Sequence, residues 1–301
     1  MKKVLVLHYS QTGQLTEILE SLVSSMNNVT LEFKSITPSN PYPFPWNSNA
    51  FFDQMPDSVL GNTHVIEPII TDYDHYDLII LGYQVWFLSP SIPFNSFLQS
   101  ETARKLLKNT PVITVLGVRN MWAMAQEKVK RKLNELKAEL VGNIVFEDKN
   151  PNLISVITIQ HWLFGGKKTK FLGFFPIPGV SKTDIEDASK FGKTIAQHLI
   201  ENDCNNLQSE LVKQNAVRVV DTLIFVEKRG SMLFRLWAKL IERKSSTPSK
   251  RKFWLKVFNI YLLFALFIVS PIVLTIYTLS KLFLIKQIRK DKKYYLGVKL
   301  N

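Results

Sequence analysis

The chain opens with an apolar run that ends abruptly in hydroxyl residues and glycine. Residues 4–16 read Val-Leu-Val-Leu-His-Tyr-Ser-Gln-Thr-Gly-Gln-Leu-Thr, and a helical pattern follows. A buried parallel strand, a tight turn and the first turn of a helix produce this order of residues. Unpaired backbone N–H groups and the helix dipole favour an anion at such a helix start. The sequence therefore predicts a phosphate-binding turn formed by Ser10, Thr12, Gly13, Gln14, Leu15 and Thr16.

Strand-like and helix-like patterns alternate as far as about residue 200. Short apolar runs predict strands at residues 4–8, 30–36, 78–82, 112–117, 141–146 and 153–160. Helical spacing predicts helices at residues 14–26, 121–140 and 183–200. Ser181 is the expected N-cap of the last helix, with Asp184 in its first turn. Strands that alternate with helices predict an α/β fold with a doubly wound parallel sheet.

A segment rich in proline and aromatic residues interrupts this alternation at residues 38–56. Its prolines argue against a regular helix or a central strand. Long ordered loops of this kind are often functional. The segment is predicted to form a lid or a wall over a substrate site, and simple packing is the alternative.

The net charge of +13 is distributed unevenly along the chain. Residues 1–206 contain 19 Lys and Arg against 20 Asp and Glu, whereas residues 207–301 contain 19 against 5. A nearly neutral body therefore carries a tail of net charge +14. Such a tail predicts an anionic partner, which is either a nucleic acid or the headgroups of a membrane.

An uncharged stretch in the tail favours the membrane. Residues 257–280 are 24 residues without a formal charge, and about 20 apolar residues cross a bilayer core. Basic residues flank both ends of the stretch, so we expect an anionic membrane surface as partner and no nucleic acid. The predicted domains are a ligand-binding α/β domain at 1–206, a basic amphipathic helical linker at 207–252 and a hydrophobic membrane segment with basic flanks at 253–301.

The sequence leaves the orientation of this segment open. Because both flanks are basic, the positive-inside rule favours neither direction. Pro271 lies in the middle and favours a kink, so two half-length helices that enter one leaflet and return are as good an interpretation as a single span. Residues 230–240 suit an interfacial helix, and a buried core helix is the remaining alternative for 257–280.

The cysteine and histidine content indicates which cellular compartment the protein occupies and whether it binds a metal ion. The lone Cys204 excludes an intramolecular disulfide and fits a reducing compartment. No spacing of Cys and His resembles a zinc site, and the N-terminus lacks the pattern of a signal peptide. We therefore expect no metal site, and a cytoplasmic location with the tail as the anchor to a membrane.

Three loops are predicted to meet at the carboxyl ends of the strands, where a doubly wound sheet binds its ligands. The first is the phosphate-binding turn. The second, residues 83–93, supplies aromatic surface and backbone amides, and the third, residues 118–122, supplies a cation, an amide and another aromatic ring. A phosphate at one end and a planar ring at the other fit flavin mononucleotide (FMN). We expect its ring to be held by Gln84, Val85, Trp86, Phe87, Gly117, Arg119 and Asn120.

The phosphate-binding turn resembles that of flavodoxin-like proteins, because the pattern Ser-x-Thr-Gly-x-x-Thr directly follows the first strand. The stretch from Leu81 to Phe87, continued to Phe97 and Leu98, is similar to the isoalloxazine-binding loop of NAD(P)H quinone reductases and FMN reductases. The resemblance covers roughly residues 1–200 and implies a flavodoxin-like fold with FMN as cofactor. Leu15 departs from the pattern, since many relatives have a hydroxyl there. The absence of Gly-x-Gly-x-x-Gly argues against a Rossmann dinucleotide-binding fold.

A flavodoxin-like body with a basic, hydrophobic tail also resembles the bacterial dialkylresorcinol-condensing enzyme family. The likeness includes Tyr9 to Leu15 and Val85 to Pro90. It implies an FMN-dependent oxidoreductase at the cytoplasmic face of the bacterial inner membrane. Such an enzyme would aromatise a lipophilic ring substrate, a dialkyl cyclohexanedione, to a dialkylresorcinol. In that reaction Tyr83 or His161 would be the acid or base, and Arg119 would hold an oxygen of the substrate or the flavin.

Other interpretations of these residues and of the whole chain stay open. Packing is the alternative for Tyr83 and for His161, which the sequence places in a loop. The chain can also be an NAD(P)H-dependent quinone or FMN reductase, or a non-catalytic, membrane-tethered electron-transfer protein, although the body's net charge of −1 is unlike that of acidic electron carriers. Because Leu15 departs from the phosphate-binding pattern, a flavodoxin-like assembly factor that binds no flavin is a further alternative. The resemblance also allows a homodimer with a shared flavin pocket.

Overall fold

The computed structural model describes residues 1–300, and its centre is a parallel sheet of five strands. These strands are β1 (Lys2–His8), β2 (Val29–Ser35), β3 (Leu78–Tyr83), β6 (Pro111–Val118) and β7 (Glu139–Glu147), and a separate hairpin is formed by β4 (Val85–Trp86) and β5 (Ser89–Pro90). The spatial order of the sheet is β2-β1-β3-β6-β7. Counted within the sheet this order is 2-1-3-4-5, which is the flavodoxin-like arrangement. The predicted doubly wound α/β fold is confirmed.

Helices flank the sheet and complete the body. They are α1 (Gln14–Val23), α2 (Ser48–Asp53), α3 (Met55–Leu60), α4 (Ile92–Leu98), α5 (Glu101–Leu107), α6 (Ala123–Glu135), α7 (Asn152–Gly165), α8 (Lys182–Glu186) and α9 (Ser189–Glu201). Helix α1 packs very close to β3, because a Cβ on Gly82 would lie 2.6 Å from Leu19 and 2.7 Å from His8. This close approach brings the start of α1 beside the end of β3.

Residues 153–160, predicted as a strand, belong to helix α7. A short apolar run rich in β-branched residues does not by itself distinguish a strand from a helix. The outer edge of β7 is occupied by another segment, since Val145 N donates to Ala216 O at 2.8 Å. The run therefore has no strand partner there and forms a helix that ends at Gly166, whose φ is 71°. The prediction is wrong, and His161 lies in this helix rather than in a loop.

All three helix predictions differ from the structure in their bounds. The helix predicted at 14–26 ends at Val23. The helix predicted at 121–140 ends at Glu135, where the chain turns through Lys137 (φ 58°) into β7. The helix predicted at 183–200 is divided into α8 and α9. Its predicted cap is confirmed, because Ser181 Oγ accepts from Asp184 N at 3.1 Å.

The C-terminal third of the chain is helical and packs on the body. It contains α10 (Leu207–Lys213), α11 (Asp221–Lys244), α12 (Pro248–Phe264) and α13 (Ser270–Leu296). Several residues of the predicted linker belong to the main hydrophobic core: Leu207, Leu211, Ala216, Val217 and Ile224. The first part of this basic segment is thus bound to the sheet domain.

Helices α12 and α13 form one continuous helix, here called the tail helix (Pro248–Leu296). A π-helical turn at Ala265–Val269 joins them just ahead of Pro271. The wide turn accommodates a residue that has no N–H and whose ring would otherwise clash with the preceding turn. The break needed for two half-length helices is therefore absent from residues 1–300. By length and composition, this is the one helix in that range that is apolar enough to cross a membrane.

Candidate functional site

A cavity of about 140 Å³ lies at the carboxyl ends of β1, β3 and β6. Strand order reverses at β1 and β3, so this is the switch point at which such sheets bind ligands. All three predicted loops reach the cavity, joined by the 38–56 segment and by α7. The lining residues are Gln11, Thr12, Gln14, Leu15, Trp46, Phe51, Gln84, Val85, Trp86, Phe87, Gly117, Val118, Arg119, Ile159, Trp162, Leu163 and Gly179.

The turn after β1 has the features of an anion site. Gly13 precedes α1 with a φ of 81°, a conformation that favours glycine, and no side chain caps the helix. The Ser10 hydroxyl is buried and has no hydrogen-bond partner among the described residues. Helix-start N–H groups without a side-chain cap and an unsatisfied hydroxyl together suit a phosphate.

Other polar residues of the same turn already form hydrogen bonds within the chain. Thr16 Oγ1 lies 2.9 Å from His8 Nε2. The Gln14 side chain accepts from Val180 N at 2.9 Å and donates to Val180 O at 3.2 Å. Leu15, which replaces the hydroxyl residue expected from the flavodoxin-like pattern, is fully buried against the sheet. These contacts leave Ser10, Thr12 and the backbone as the groups available to a ligand in this turn.

Aromatic rings form the other wall of the cavity. Trp86 lies at the end of β4, and Trp46 from the 38–56 segment packs edge-on against it, with ring centroids 5.6 Å apart. Phe51 of α2 lies 5.6 Å from Trp46 and 4.8 Å from Phe87. The result is an apolar wall of aromatic rings beside the anion site.

The turn between β4 and β5 is strained. Phe87 and Leu88 both have positive φ angles, 49° and 58°, which non-glycine residues adopt at a cost of about 1–2 kcal/mol each. Packing compensates for this strain, because Phe87 contacts Phe51 and Leu88 lies close to Gly230 of α11. Backbone strain of this kind clusters at functional sites.

Arg119 is held at the cavity by the start of α7. Its Nη1 donates to Asn152 Oδ1 at 2.7 Å and to Ser155 Oγ at 2.9 Å. Burial lowers the pKa of Arg119 to about 10, and the nearby charges of Asp148 and Glu227 oppose this shift. The guanidinium therefore stays protonated near neutral pH. Asn120 does not line the cavity and instead donates to Asn152 Oδ1 at 3.2 Å.

The structure does not bring Tyr83 or His161 into the cavity. Tyr83 is fully buried, stacks on Phe94 at 4.6 Å and donates its hydroxyl to Gln126. His161 Nε2 lies 3.3 Å from Thr169 Oγ1, outside the set of lining residues. Neither side chain is positioned for acid–base chemistry there. Among residues 1–300 there is also no group of His, Cys, Asp and Glu side chains suited to a metal ion.

Glu227 of α11 is a functional candidate that sequence reasoning missed. Its carboxylate accepts from Trp122 N at 3.1 Å and Met124 N at 3.0 Å, and so caps the start of α6. Burial raises its pKa to about 7, while those backbone hydrogen bonds oppose the shift. The only signal in the sequence is an acidic residue next to Lys228 and Arg229, in a helix that has six basic and three acidic residues. Glu227 ties α11 to the loop that carries Arg119.

No protein-family profile matches the chain, and no curated protein matches it. Solved structures do match. A flavoprotein from Lactobacillus acidophilus NCFM, crystallised in complex with FMN, is 20% identical with a TM-score of 0.41, and the match covers 48% of this chain and 93% of that one. A flavodoxin from the domain Archaea is 13% identical (TM-score 0.36; 66% and 99% covered), and a flavone reductase is 10% identical (TM-score 0.37; 66% and 64% covered). Sequence identities and TM-scores this low do not indicate the activity of this chain. The fold is assigned from the strand order of the sheet.

Proposed function

We propose that this protein is an FMN-dependent oxidoreductase that works at a membrane surface on a lipophilic ring substrate. The observation that carries the proposal is the meeting of two complementary walls in one cavity. Thr12 and the uncapped start of α1 line one side, next to Ser10 with its unsatisfied hydroxyl, and the rings of Trp46 and Trp86 line the other side.

The residues present suit FMN. Ser10, Thr12 and the backbone at the start of α1 would hold the phosphate, and Trp86 with Phe87 would flank the ring. The free volume of about 140 Å³ is smaller than the roughly 300 Å³ or more of ligand pockets in general. We infer that the 38–56 segment, which brings Trp46 into the cavity, moves outward when the ring enters.

When bound, FMN would supply the redox chemistry, because a flavin can take up or release a hydride. The chain's own residues bind, orient and exclude water. Arg119 uses Nη1 for its contacts with Asn152 and Ser155, and its remaining N–H groups are suited to a carbonyl or enolate oxygen in the cavity. The rings of Trp46 and Phe51 cover the site from solvent.

A lipophilic substrate is supported by the aromatic contacts between the cavity and the tail helix. Phe51 lines the cavity, and its neighbour Phe52 packs against Phe258 of the tail helix with centroids 6.5 Å apart. Phe87 contacts both Phe51 and Phe52. An apolar molecule that leaves the membrane beside the tail helix would reach the cavity past these rings without crossing water.

The most specific version of this proposal is the aromatisation of a dialkyl cyclohexanedione to a dialkylresorcinol. A two-chain substrate of this kind dissolves in a bilayer, and Arg119 suits its enolate oxygen. On this proposal the partners are the lipophilic substrate and an anionic membrane surface, at the cytoplasmic face of the inner membrane, and no nucleic acid is involved. The homodimer with a shared flavin pocket, which the family resemblance allows, remains a prediction.

The test begins with the purified full-length protein in mild detergent. We expect a yellow protein with an FMN spectrum, whose oxidised band bleaches anaerobically when a dialkyl cyclohexanedione is added. Bleaching by NADPH, with turnover of a quinone, would instead assign the quinone reductase activity. A colourless protein that fails to bind added FMN would overturn the proposal.

A further inference from the structure

We propose that the tail helix lies in the plane of an anionic bilayer surface and does not cross the membrane. This inference rests on the membrane association in the proposed function and adds the geometry of binding. It is carried by the contacts of the tail helix, by the charges of its neighbour α11 and by the residues on its exposed face.

The tail helix packs on the body at both ends of its uncharged stretch and again near its C-terminus. Leu255, Phe258, Tyr277 and Tyr295 are each less than 9% exposed. Within the uncharged stretch, Phe258 packs against Trp237 of α11 with centroids 5.8 Å apart, and Tyr277 against Phe225 of the same helix at 4.0 Å. Both ends of the stretch are therefore bound to α11.

Polar contacts hold the two ends of the tail helix to the same body. Near its start, Arg251 pairs with Asp53 of α2 at 2.5 Å. Further along, Lys281 pairs with Asp221 of α11 at 2.8 Å, and Tyr294 donates to Glu127 of α6 at 2.8 Å. A helix that crosses a bilayer places its two ends on opposite sides, so it could not keep both sets of contacts.

The neighbouring helix α11 could not follow the tail helix into hydrocarbon. Its 24 residues include nine charged ones: Asp221, Glu227, Lys228, Arg229, Arg235, Lys239, Glu242, Arg243 and Lys244. Charged side chains at the centre of a bilayer are strongly unfavourable. The pair of helices therefore stays at the level of the headgroups.

The opposite face of the tail helix suits that position. Residues spaced alternately by four and three positions project to one side of a helix, and here they are Ile272, Ile276, Leu279, Phe283, Lys286, Lys290 and Lys293. The four apolar members are 57–89% exposed, and the three lysines are exposed as well. Apolar residues on this stripe would enter the acyl region, and the lysines would reach anionic headgroups.

Fluorescence quenching measures the depth of this stripe in the full-length protein. In a Cys204→Ser background, bimane is attached to Phe264→Cys, Ile272→Cys or Leu279→Cys, all at exposed positions. Phosphatidylglycerol–phosphatidylcholine vesicles carry nitroxide groups at shallow or deep acyl positions. Neighbouring labels lie about 12 Å and about 10 Å apart along the helix axis. We expect the same shallow depth for all three labels, and no quenching for the control Lys108→Cys on the body.

Labelling from one side of the membrane gives an independent test. Lys252→Cys and Lys293→Cys flank the uncharged stretch, and both positions are exposed. In everted membrane vesicles from the expressing cells, a membrane-impermeant maleimide should label both without detergent. Protection of one flank, or label depths that change along the helix, would show a span and overturn the inference while membrane association stands.

Binding to vesicles of different lipid composition distinguishes a failure of this inference from a failure of the proposed membrane association. We expect binding to pure phosphatidylcholine to be weaker by about tenfold or more, because the exposed lysines lose their anionic partners. Equal binding to both lipids would overturn the anionic part of the inference. A protein that binds neither vesicle would overturn membrane association itself, and the in-plane geometry with it.

Discussion

Ser10 and Thr16 are hydroxyl residues of the same turn, but their surroundings give them different roles. Thr16 Oγ1 lies within hydrogen-bond distance of His8 Nε2 (2.9 Å), whereas Ser10 Oγ is buried without a partner among residues 1–300. A buried hydroxyl that lacks a partner costs stability unless a ligand satisfies it. Ser10 is therefore the residue at which a phosphate site can be told apart from an ordinary turn.

Replacing Ser10 by alanine should weaken FMN binding without weakening the fold. A hydrogen bond to a charged group contributes about 1.5–3 kcal/mol, so we expect the affinity for FMN to fall about tenfold or more. Thermal unfolding of the flavin-free protein should be unchanged. Fluorescence titration with FMN and calorimetry measure the two effects. The control, Thr16→Val, should lose stability through His8, and a Ser10→Ala variant with normal FMN affinity would contradict this assignment.

Glu227 should make the stability of the protein depend on pH. Its pKa is raised to about 7 in the folded state, from an ordinary value of 4.5. Between these values the folded state keeps a proton that the unfolded state has lost, so the free energy of unfolding falls as the pH rises from about 4.5 to about 7. The size of this change is on the order of 3 kcal/mol. Urea unfolding at several pH values measures it.

Glu227→Gln provides the matched variant. The amide cannot ionise, so this variant should lose the pH-dependent part of the stability. It also places a donor against the N–H of Trp122 or Met124, so it should be less stable than the parent at low pH. Parallel pH profiles for the two proteins would show that Glu227 does not titrate in this range.

At the scale of elements, the 38–56 segment closes over the candidate site. Trp46 N donates to Leu163 O of α7 at 2.7 Å, and Gln11 Nε2 donates to Pro43 O at 2.9 Å. These bonds join the segment to α7 on one side and to the phosphate-binding turn on the other. Its short helix α2 supplies Phe51 to the cavity and so connects the lid with the aromatic wall.

Trp46→Ala should open this lid. Truncating a large buried side chain costs about 3–5 kcal/mol of stability. Because the ring of Trp46 restricts the cavity, FMN should also associate and dissociate faster, as stopped-flow fluorescence would show. The control is Trp237→Ala in the contact between α11 and α12, which should lower stability and leave the FMN rates unchanged. Unchanged rates in Trp46→Ala would mean that the segment is only a packing element.

At the scale of the whole molecule, the basic C-terminal third is bound to the sheet domain. Leu211 and Val217 complete the core beside β7, and Glu227 caps α6. Near the end of the tail helix, Tyr295 packs against Trp122 with centroids 6.5 Å apart. The loop that carries Arg119 is thus held partly by α11 and partly by the tail helix, which carries the exposed stripe.

A truncation after residue 206 should therefore not leave a stable body. It would expose the apolar surface under Leu207, Leu211 and Val217 and remove the Glu227 cap from α6. We expect little soluble protein and no cooperative thermal transition. A truncation after residue 247 keeps α11 and should unfold cooperatively at a lower temperature than the full chain. A stable, FMN-binding fragment 1–206 would show instead that the later helices are dispensable.

Much of the site could be predicted because it follows from strand order. The residues after β1, β3 and β6 meet at one edge of a parallel sheet, so Thr12, Trp86 and Arg119 were expected to lie together. The 38–56 segment was expected to cover the site, although Trp46 was not singled out within it. Trp162 was not expected, since it comes from a helix whose run of apolar residues suggested a strand. Tyr83 was misplaced because side chains alternate along β3 and the sequence does not say which face they meet.

The sequence by itself determined the alternating fold, the glycine-containing turn between β1 and α1 and the division into a neutral body and a basic, apolar tail. These features are local, because they depend on the spacing of apolar residues, on glycine and hydroxyl positions and on charge. Only the tertiary structure decided that α7 is a helix, that Glu227 reaches the site loop and that both ends of the tail helix bind one body. Those outcomes depend on competition between distant segments for the same edge or surface, as at β7 and Ala216, and no local pattern records that competition.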